Sequence, residues 1–257
     1  MLLAIDCGNT NIVFAVYDAD GAIQGSWRAQ SKQDWTGQAL ADWLAPHFGE
    51  RNIAPGDITA TIIASVVPAN TAPLQSLCQD HLNVPPLVVG APDVDLGIKV
   101  LVDRPDQVGA DRLVNAVAAF EKYGGPLIVV DFGTATTFDV VDADGSYAGG
   151  VISPGINLSL AALHQAAAKL PLIEVAKPPK VVGTDTLSAM QSGIYWGYVG
   201  LIEGIVARVQ GETGGGAKVI ATGGLATLFD GASAAIDTVD CTLTLDGLYL
   251  IYKRNTV

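Results

Sequence analysis

Positive charge is scarce in this chain. Its 257 residues carry 14 lysines and arginines against 26 aspartates and glutamates, a formal net charge of −12. Bulk charge of that sign does not draw in nucleic acid or anionic lipid. A phosphate-bearing ligand would need local positive charge instead, from a metal ion or a few placed cations. Cysteine is scarce too. Cys7, Cys78 and Cys241 are odd in number, far apart and without a Cys-x-x-Cys or a neighbouring histidine. That spacing argues against a disulfide framework or a zinc site. It reads as three small hydrophobes in a reducing compartment. His47, His81 and His164 are isolated and read as ordinary helix residues. No uncharged apolar run approaches the length of a membrane span; the nearest, 194–209, is broken by Glu203 and Arg208. The apolar start has no basic leader and is interrupted at Asp6, so it reads as a first strand rather than a signal peptide. The expectation is a soluble, cytoplasmic protein. No Gly-x-x-x-x-Gly-Lys-Ser/Thr loop is present, nor a Gly-x-Gly-x-x-Gly after a strand. Walker-type and Rossmann nucleotide sites are therefore disfavoured.

What the chain does contain is a motif used twice. Asp6-Cys-Gly-Asn-Thr and Asp131-Phe-Gly-Thr-Ala each follow an apolar run, Met1-Leu-Leu-Ala-Ile and Leu127-Ile-Val-Val. Each precedes a second β-like run that ends in the same tetrapeptide, Asp18-Ala-Asp-Gly and Asp142-Ala-Asp-Gly. The Asp-x-Gly elements lie 125 positions apart and the tetrapeptides 124, so the copies differ by one residue. A tandem duplication explains this better than chance. An apolar content of 49% supplies well-buried cores, and the length allows two domains of ordinary size.

The first half reads as strands near 2–6, 12–18 and 22–28, a helix over 35–48, a strand from Thr61 stopped by Pro68, a helix, and a strand over 84–89. That order suits a layered α/β domain. Residues 90–110 form a long irregular stretch leading into a helix that ends at Gly124-Gly125. The second half repeats the opening with strands near 127–131, 136–142 and 146–152. Helices are expected over 157–169 and 185–209, strands over 218–224 and 239–245, and a terminal helix over 246–253. Gly193, Gly197, Gly200 and Gly204 share one face of the 185–209 helix. Glycine in a helix costs about 1 kcal/mol against alanine. Such a row implies close approach by another element, either the parent sheet or a second copy of the chain.

A single Asp-x-Gly would be a polar hairpin turn and no more. Its duplication favours function, because Gly8 lets an anion approach the backbone and Asp6 is a hard oxygen ligand for Mg²⁺. Gly223-Gly224 after a strand would admit an adenine ring, or simply end the strand. Gly109-Ala-Asp-Arg112 stands at a helix start. Asp111 there is either a cap or a base for a substrate hydroxyl. Arg112 is disfavoured by the helix dipole and suits bidentate binding of a carboxylate or phosphate.

The ordered set Asp6-Cys-Gly-Asn-Thr-Asn11, Gly109-Ala-Asp-Arg-Leu-Val-Asn115, Asp131-Phe-Gly-Thr-Ala-Thr-Thr137, Gly149-Gly-Val-Ile-Ser-Pro-Gly155, Gln191-Ser-Gly193 and Thr222-Gly-Gly224 resembles the type III pantothenate kinases of the actin-like, sugar-kinase-like ATPase superfamily. The resemblance spans nearly the whole chain. It implies two duplicated ribonuclease-H-like α/β domains, 1–112 and 113–257, with a nucleotide cleft between them. The implied activity is ATP-dependent phosphorylation of pantothenate to 4′-phosphopantothenate, the first step towards coenzyme A. Asp6, Cys7, Gly8, Asn9, Thr10, Asn11, Ile12 and Val13, with Thr134, would then bind ATP, Asp6 lying near Mg²⁺. Gly109, Ala110, Asp111, Arg112 and Thr186 would bind pantothenate, Asp111 as proton acceptor. Asp131 would hold a monovalent cation, K⁺ or NH₄⁺, and the chain would be a homodimer. Relatives commonly carry Asn before that threonine, where this chain has Asp185. Two rivals remain at this point: another actin-like phosphotransferase, which would lack Gly-Ala-Asp-Arg, and a nucleotide-binding regulator that has lost catalysis. The presence of Asp6, Asp111 and Asp131 argues against the second.

Overall fold

The computed structural model describes residues 1–31, 34–167 and 170–256. Two compact units emerge. The first comprises 1–98, 103–118 and 243–257, and the second 99–102 and 119–242.

The first unit is built on the strands β1 (Leu2–Cys7), β2 (Asn11–Tyr17), β3 (Ile23–Gln30), β4 (Ala60–Ser65) and β5 (Pro86–Val88), in the order β3-β2-β1-β4-β5. The β1–β2 and β2–β3 pairs are antiparallel; β1–β4 and β4–β5 are parallel. The second unit has β6 (Leu127–Phe132), β7 (Ala135–Val141), β8 (Tyr147–Pro154), β9 (Lys218–Gly223) and β10 (Thr238–Val239), in the order β10-β9-β6-β7-β8. Its pairings match those of the first sheet strand for strand. The duplication read in the motifs is therefore a duplication of topology. It extends to irregularities: the register slips at Val16/Tyr17 in one copy and at Val140/Val141 in the other. The turn that follows closes in the same way, with Gly21 N–H to Asp18 O at 3.2 Å and Gly145 N–H to Asp142 O at 3.0 Å. Both glycines have φ near +85°, which a side chain would resist.

Each sheet is covered according to its apolar pattern. On the first, Leu3, Ile5, Phe14 and Val16 face the helices α1 (Gly37–Glu50) and α2 (Pro68–Ser76), through Leu40, Leu44, Phe48 and Leu74. Thr36 caps α1, its hydroxyl accepting from Ala39 N–H at 3.1 Å. The opposite face, Leu2, Ala4, Ala15 and Tyr17, meets α3 (Ala110–Tyr123) and the terminal helix α6 (Leu243–Arg254). These two helices approach closely because Gly247 has no side chain: a Cβ there would strike the Val114 carbonyl. On the second sheet, Ile128, Val130 and Phe138 pack against α5 (Thr186–Glu212) through Tyr195, Val199 and Ile202. The remaining helix, α4, spans Ile156–Ala166. The expectation of a helix over 157–169 ends at residues that lie outside the described ones.

One expected strand is corrected. Residues 239–245 read as a strand, but β10 ends at Val239 and α6 begins at Leu243. Asp240 ends the strand. Its carboxylate accepts from Thr242 N–H at 3.1 Å, turning the chain, and from Lys122 Nζ at 2.5 Å and Tyr123 Oη at 2.8 Å. Burial pushes this carboxyl up, but the lysine and the other donors outweigh it and hold it below the usual range. The glycine row on α5 is also clarified. Gly193, Gly197 and Gly200 are exposed, and a Cβ on any of them would meet nothing within 4 Å. The row does not serve contact with the parent sheet.

Candidate functional site

The two Asp-x-Gly turns occupy matching places. Asp6 and Asp131 each sit at the penultimate position of a central strand whose preceding residues are fully buried. Burial of β1 and β6 on both faces fixes their register, and both carboxylates emerge half-buried at the strand ends. Cross-strand partners share a sheet face. Asp6 lies in a row with Ala64, Val13 and, through Val13, Arg28. Asp131 lies in a row with Thr222 and Thr137. Arg28 escaped notice in the sequence because only the β2–β3 register brings it into line.

The one-residue difference between the copies falls in the turn itself. In the first, Cys7 pairs with Ile12 and Gly8 N–H reaches Asn11 O at 2.9 Å. In the second, Phe132 pairs with Thr136 and Gly133 N–H reaches Ala135 O at 3.0 Å. The first turn is thus longer by one peptide. Asn9 and Thr10 are exposed, whereas the Cys7 and Ile12 side chains are buried, so whatever those two offer a ligand is backbone. Burial pushes the Cys7 thiol up, only partly countered by hydrogen bonds with Ser65, Asn70 and Ser31. It is a neutral packing group, not a nucleophile.

The first unit also brings the Gly109–Arg112 segment to this turn. Val66 N–H donates to Cys7 O at 3.0 Å, and a Cβ on Gly109 would lie 3.3 Å from Val66 Cγ1 and 2.5 Å from Asp111 Oδ1. Gly109 O accepts from Arg112 N–H at 3.1 Å and Leu113 N–H at 3.3 Å, so Gly109 itself begins the helix. Asp111 is two residues further in. Its Oδ1 accepts from the N–H of Arg112 at 2.8 Å, an orientation that the bare Gly109 permits. Negative charge in a first helical turn is favoured by the dipole.

In the second unit Gly223 stands against Asp131. With φ +92°, a Cβ there would strike the Asp131 carboxylate and come within 2.7 Å of Phe132 N. Thr134 is exposed at the tip of the shorter turn, and Thr134 O accepts from Gly155 N–H at 3.0 Å. Thr186 is on another element, the exposed first turn of α5. Asp185 caps that helix, its carboxylate accepting from Ser188 N–H at 2.9 Å, a bond that holds the carboxyl below the usual range. Among the described residues, no three His, Cys, Asp or Glu side chains group as a metal cage, and no helix is long and apolar enough to cross a membrane.

A sequence model of the type III pantothenate kinase family matches residues 2–208. A type III pantothenate kinase of Rhodospirillum rubrum is 59% identical over 255 residues, covering 99% of each chain. Two solved structures share the fold. A conserved putative Baf family transcriptional activator from Campylobacter jejuni has a TM-score of 0.61 at 16% identity, covering 98% of both chains. A putative 2-dehydro-3-deoxygalactonokinase from Sinorhizobium meliloti has a TM-score of 0.61 at 14% identity, covering 99% of both. Both are similar in fold alone. The doubled topology is that of two ribonuclease-H-like domains.

The two turn glycines should respond differently to a methyl group. Gly223→Ala combines a positive φ with a clash and should destabilise by about 1–3 kcal/mol or more. Gly8→Ala would meet only Asn11 O at 3.5 Å, an ordinary contact. Its change should stay within about 0.5 kcal/mol. Thermal unfolding of the two unliganded variants checks this; equal melting temperatures would contradict the geometry.

Proposed function

As the chain belongs to the type III pantothenate kinase family, we propose how its residues divide the ATP-dependent phosphorylation of pantothenate, the first step of coenzyme A biosynthesis. The observation that carries the proposal is the junction within the first unit, where Val66 joins the Asp6 turn to the start of α3. Asp6 to Val13 cradle the ATP phosphates, chiefly through backbone N–H groups, and Thr134 contacts the nucleotide. Gly109 to Arg112 and Thr186 bind pantothenate. The Arg112 guanidinium suits its carboxylate. Asp111 accepts the proton of the substrate hydroxyl as its oxygen attacks the γ-phosphorus and the bond to the ADP oxygen breaks.

The kinase family implies a divalent metal with ATP. The donor set fits hard cations: each turn offers one carboxylate, which suits ions held otherwise by phosphate oxygens and water. We assign Asp6 to Mg²⁺ and Asp131 to K⁺ or NH₄⁺. When bound, these ions neutralise phosphate charge that no lysine of the turns is present to offset. We further propose a cytoplasmic homodimer. Its support is the outward glycine row of α5 and the exposed Leu158, Leu163, Val181, Val182 and Leu187.

Asp111→Asn should fold, keep ATP binding and lose about a hundred- to ten-thousandfold in turnover; near-normal phosphopantothenate formation would remove Asp111 from the chemistry. Turnover should rise strongly when potassium or ammonium replaces sodium at equal ionic strength, and Asp131→Asn should weaken that dependence. Equal rates in the two salts at saturating Mg²⁺ would refute the cation assignment alone. Gly197→Leu should yield a folded monomer or a much weaker dimer by sedimentation, and a tight dimer would place the contact elsewhere.

A further inference from the structure

The internal repeat supplies its own comparison for the first turn. Ser31, just after β3, donates its N–H to Thr10 O at 2.9 Å; Gly155, just after β8, donates its N–H to Thr134 O at 3.0 Å. The backbone bond is common to both copies. The side chain is not. At Gly155 no side chain fits, since a Cβ would strike the carbonyls of Thr134 and Gly133. The longer first turn leaves room, and there the Ser31 hydroxyl donates a second, short hydrogen bond to Gly8 O.

That carbonyl belongs to the Gly8–Asn9 peptide. In the register of the two copies, Thr10 matches Thr134, so Asn9 is the added residue. A trans peptide is planar, with C=O and N–H pointing in opposite directions. Holding Gly8 O towards Ser31 therefore aims Asn9 N–H away from β3. Asn9 is exposed, and no hydrogen bond among the described residues uses that N–H. The two turns are also seated differently. Phe132 stacks on Phe229 at a centroid distance of 5.0 Å, whereas Cys7, in the matching place, is buried in the first core with Asn70 Nδ2 3.8 Å from its sulfur. The turn lengthened by one residue gains, in the Ser31 bond, a restraint on the orientation of that peptide.

We propose that Ser31 is a positioning residue for nucleotide phosphate: it clamps the Gly8–Asn9 peptide and so presents the added Asn9 N–H as an anion donor. This rests on the reading of the Asp6 turn as the ATP-phosphate site. One hydrogen bond in a half-buried place sets the scale. Ser31→Ala should raise the KM for ATP and the Kd for MgADP about three- to tenfold. The KM for pantothenate and the melting temperature of the unliganded protein should stay near normal. Ser31→Thr, which keeps the hydroxyl, should restore nucleotide binding. If Ser31→Ala proves poorly soluble, Ser31→Gly removes the same group and gives the residue type that the second copy uses. Gly8→Ala separates the two layers of the argument. If it weakens MgADP binding while Ser31→Ala does not, the clamp is wrong and the phosphate site stands. If Gly8→Ala leaves MgADP binding unchanged, the site reading falls and the clamp with it. A Ser31→Ala variant that weakens pantothenate and ATP equally, or is not rescued by threonine, would likewise overturn the proposal.

Discussion

Two strands carry the rest of this protein. β1 and β6 are central in their sheets, paired antiparallel on one side and parallel on the other, with their apolar residues almost wholly out of water. A strand buried on both faces cannot slip by one residue without turning its whole pattern over. Each carries an aspartate one residue before its end, half-buried where the residues on either side are buried. The carboxylates are thus delivered to fixed positions by hydrophobic packing that involves neither of them. Function can change at such turns while the strands behind stay as they are.

The duplication shows what was free to change. Topology, bulge position and the Asp-Ala-Asp-Gly turns are common to both copies. The Asp-x-Gly turns are among the differences. The first is longer by a residue and held by polar side chains; the second is shorter, pressed against Gly155 and Gly223 and seated on an aromatic stack. A triphosphate needs several donors and a cation needs a few oxygens, so unequal turns suit unequal partners. The proposed assignment of phosphates to the first and a monovalent cation to the second follows that asymmetry.

Compactness is not partitioned in one cut along the chain. The first unit takes the start of α3 and the whole of α6, whose residues Val114, Val117, Leu248 and Ile251 cover the second face of its sheet. Asp111 is therefore held by the same unit as the Asp6 turn, and Val66 touches both segments. The glycine row of α5 is left facing outward, so what it meets lies outside its own unit's core.

The amino-acid sequence by itself determined the duplicated α/β class, the two Asp-x-Gly hairpins and the helix start at Gly109, because each is written in local terms. Alternating apolar residues specify strands, and glycine or aspartate at fixed offsets specifies turns. It also implied the family, through an ordered set of motifs that no single element would carry. Tertiary structure decided three other things. The end of β10 depended on Asp240 finding Lys122, more than a hundred positions away in sequence, which local β-propensity cannot register. The alignment of Arg28 with Asp6 depended on strand register. The grip of Ser31 on Gly8 depended on where β3 ends relative to a turn more than twenty residues earlier. Each of these is a contact between residues remote in sequence. A local pattern sets the geometry of a segment, but only the packed fold selects which distant group comes within hydrogen-bond reach.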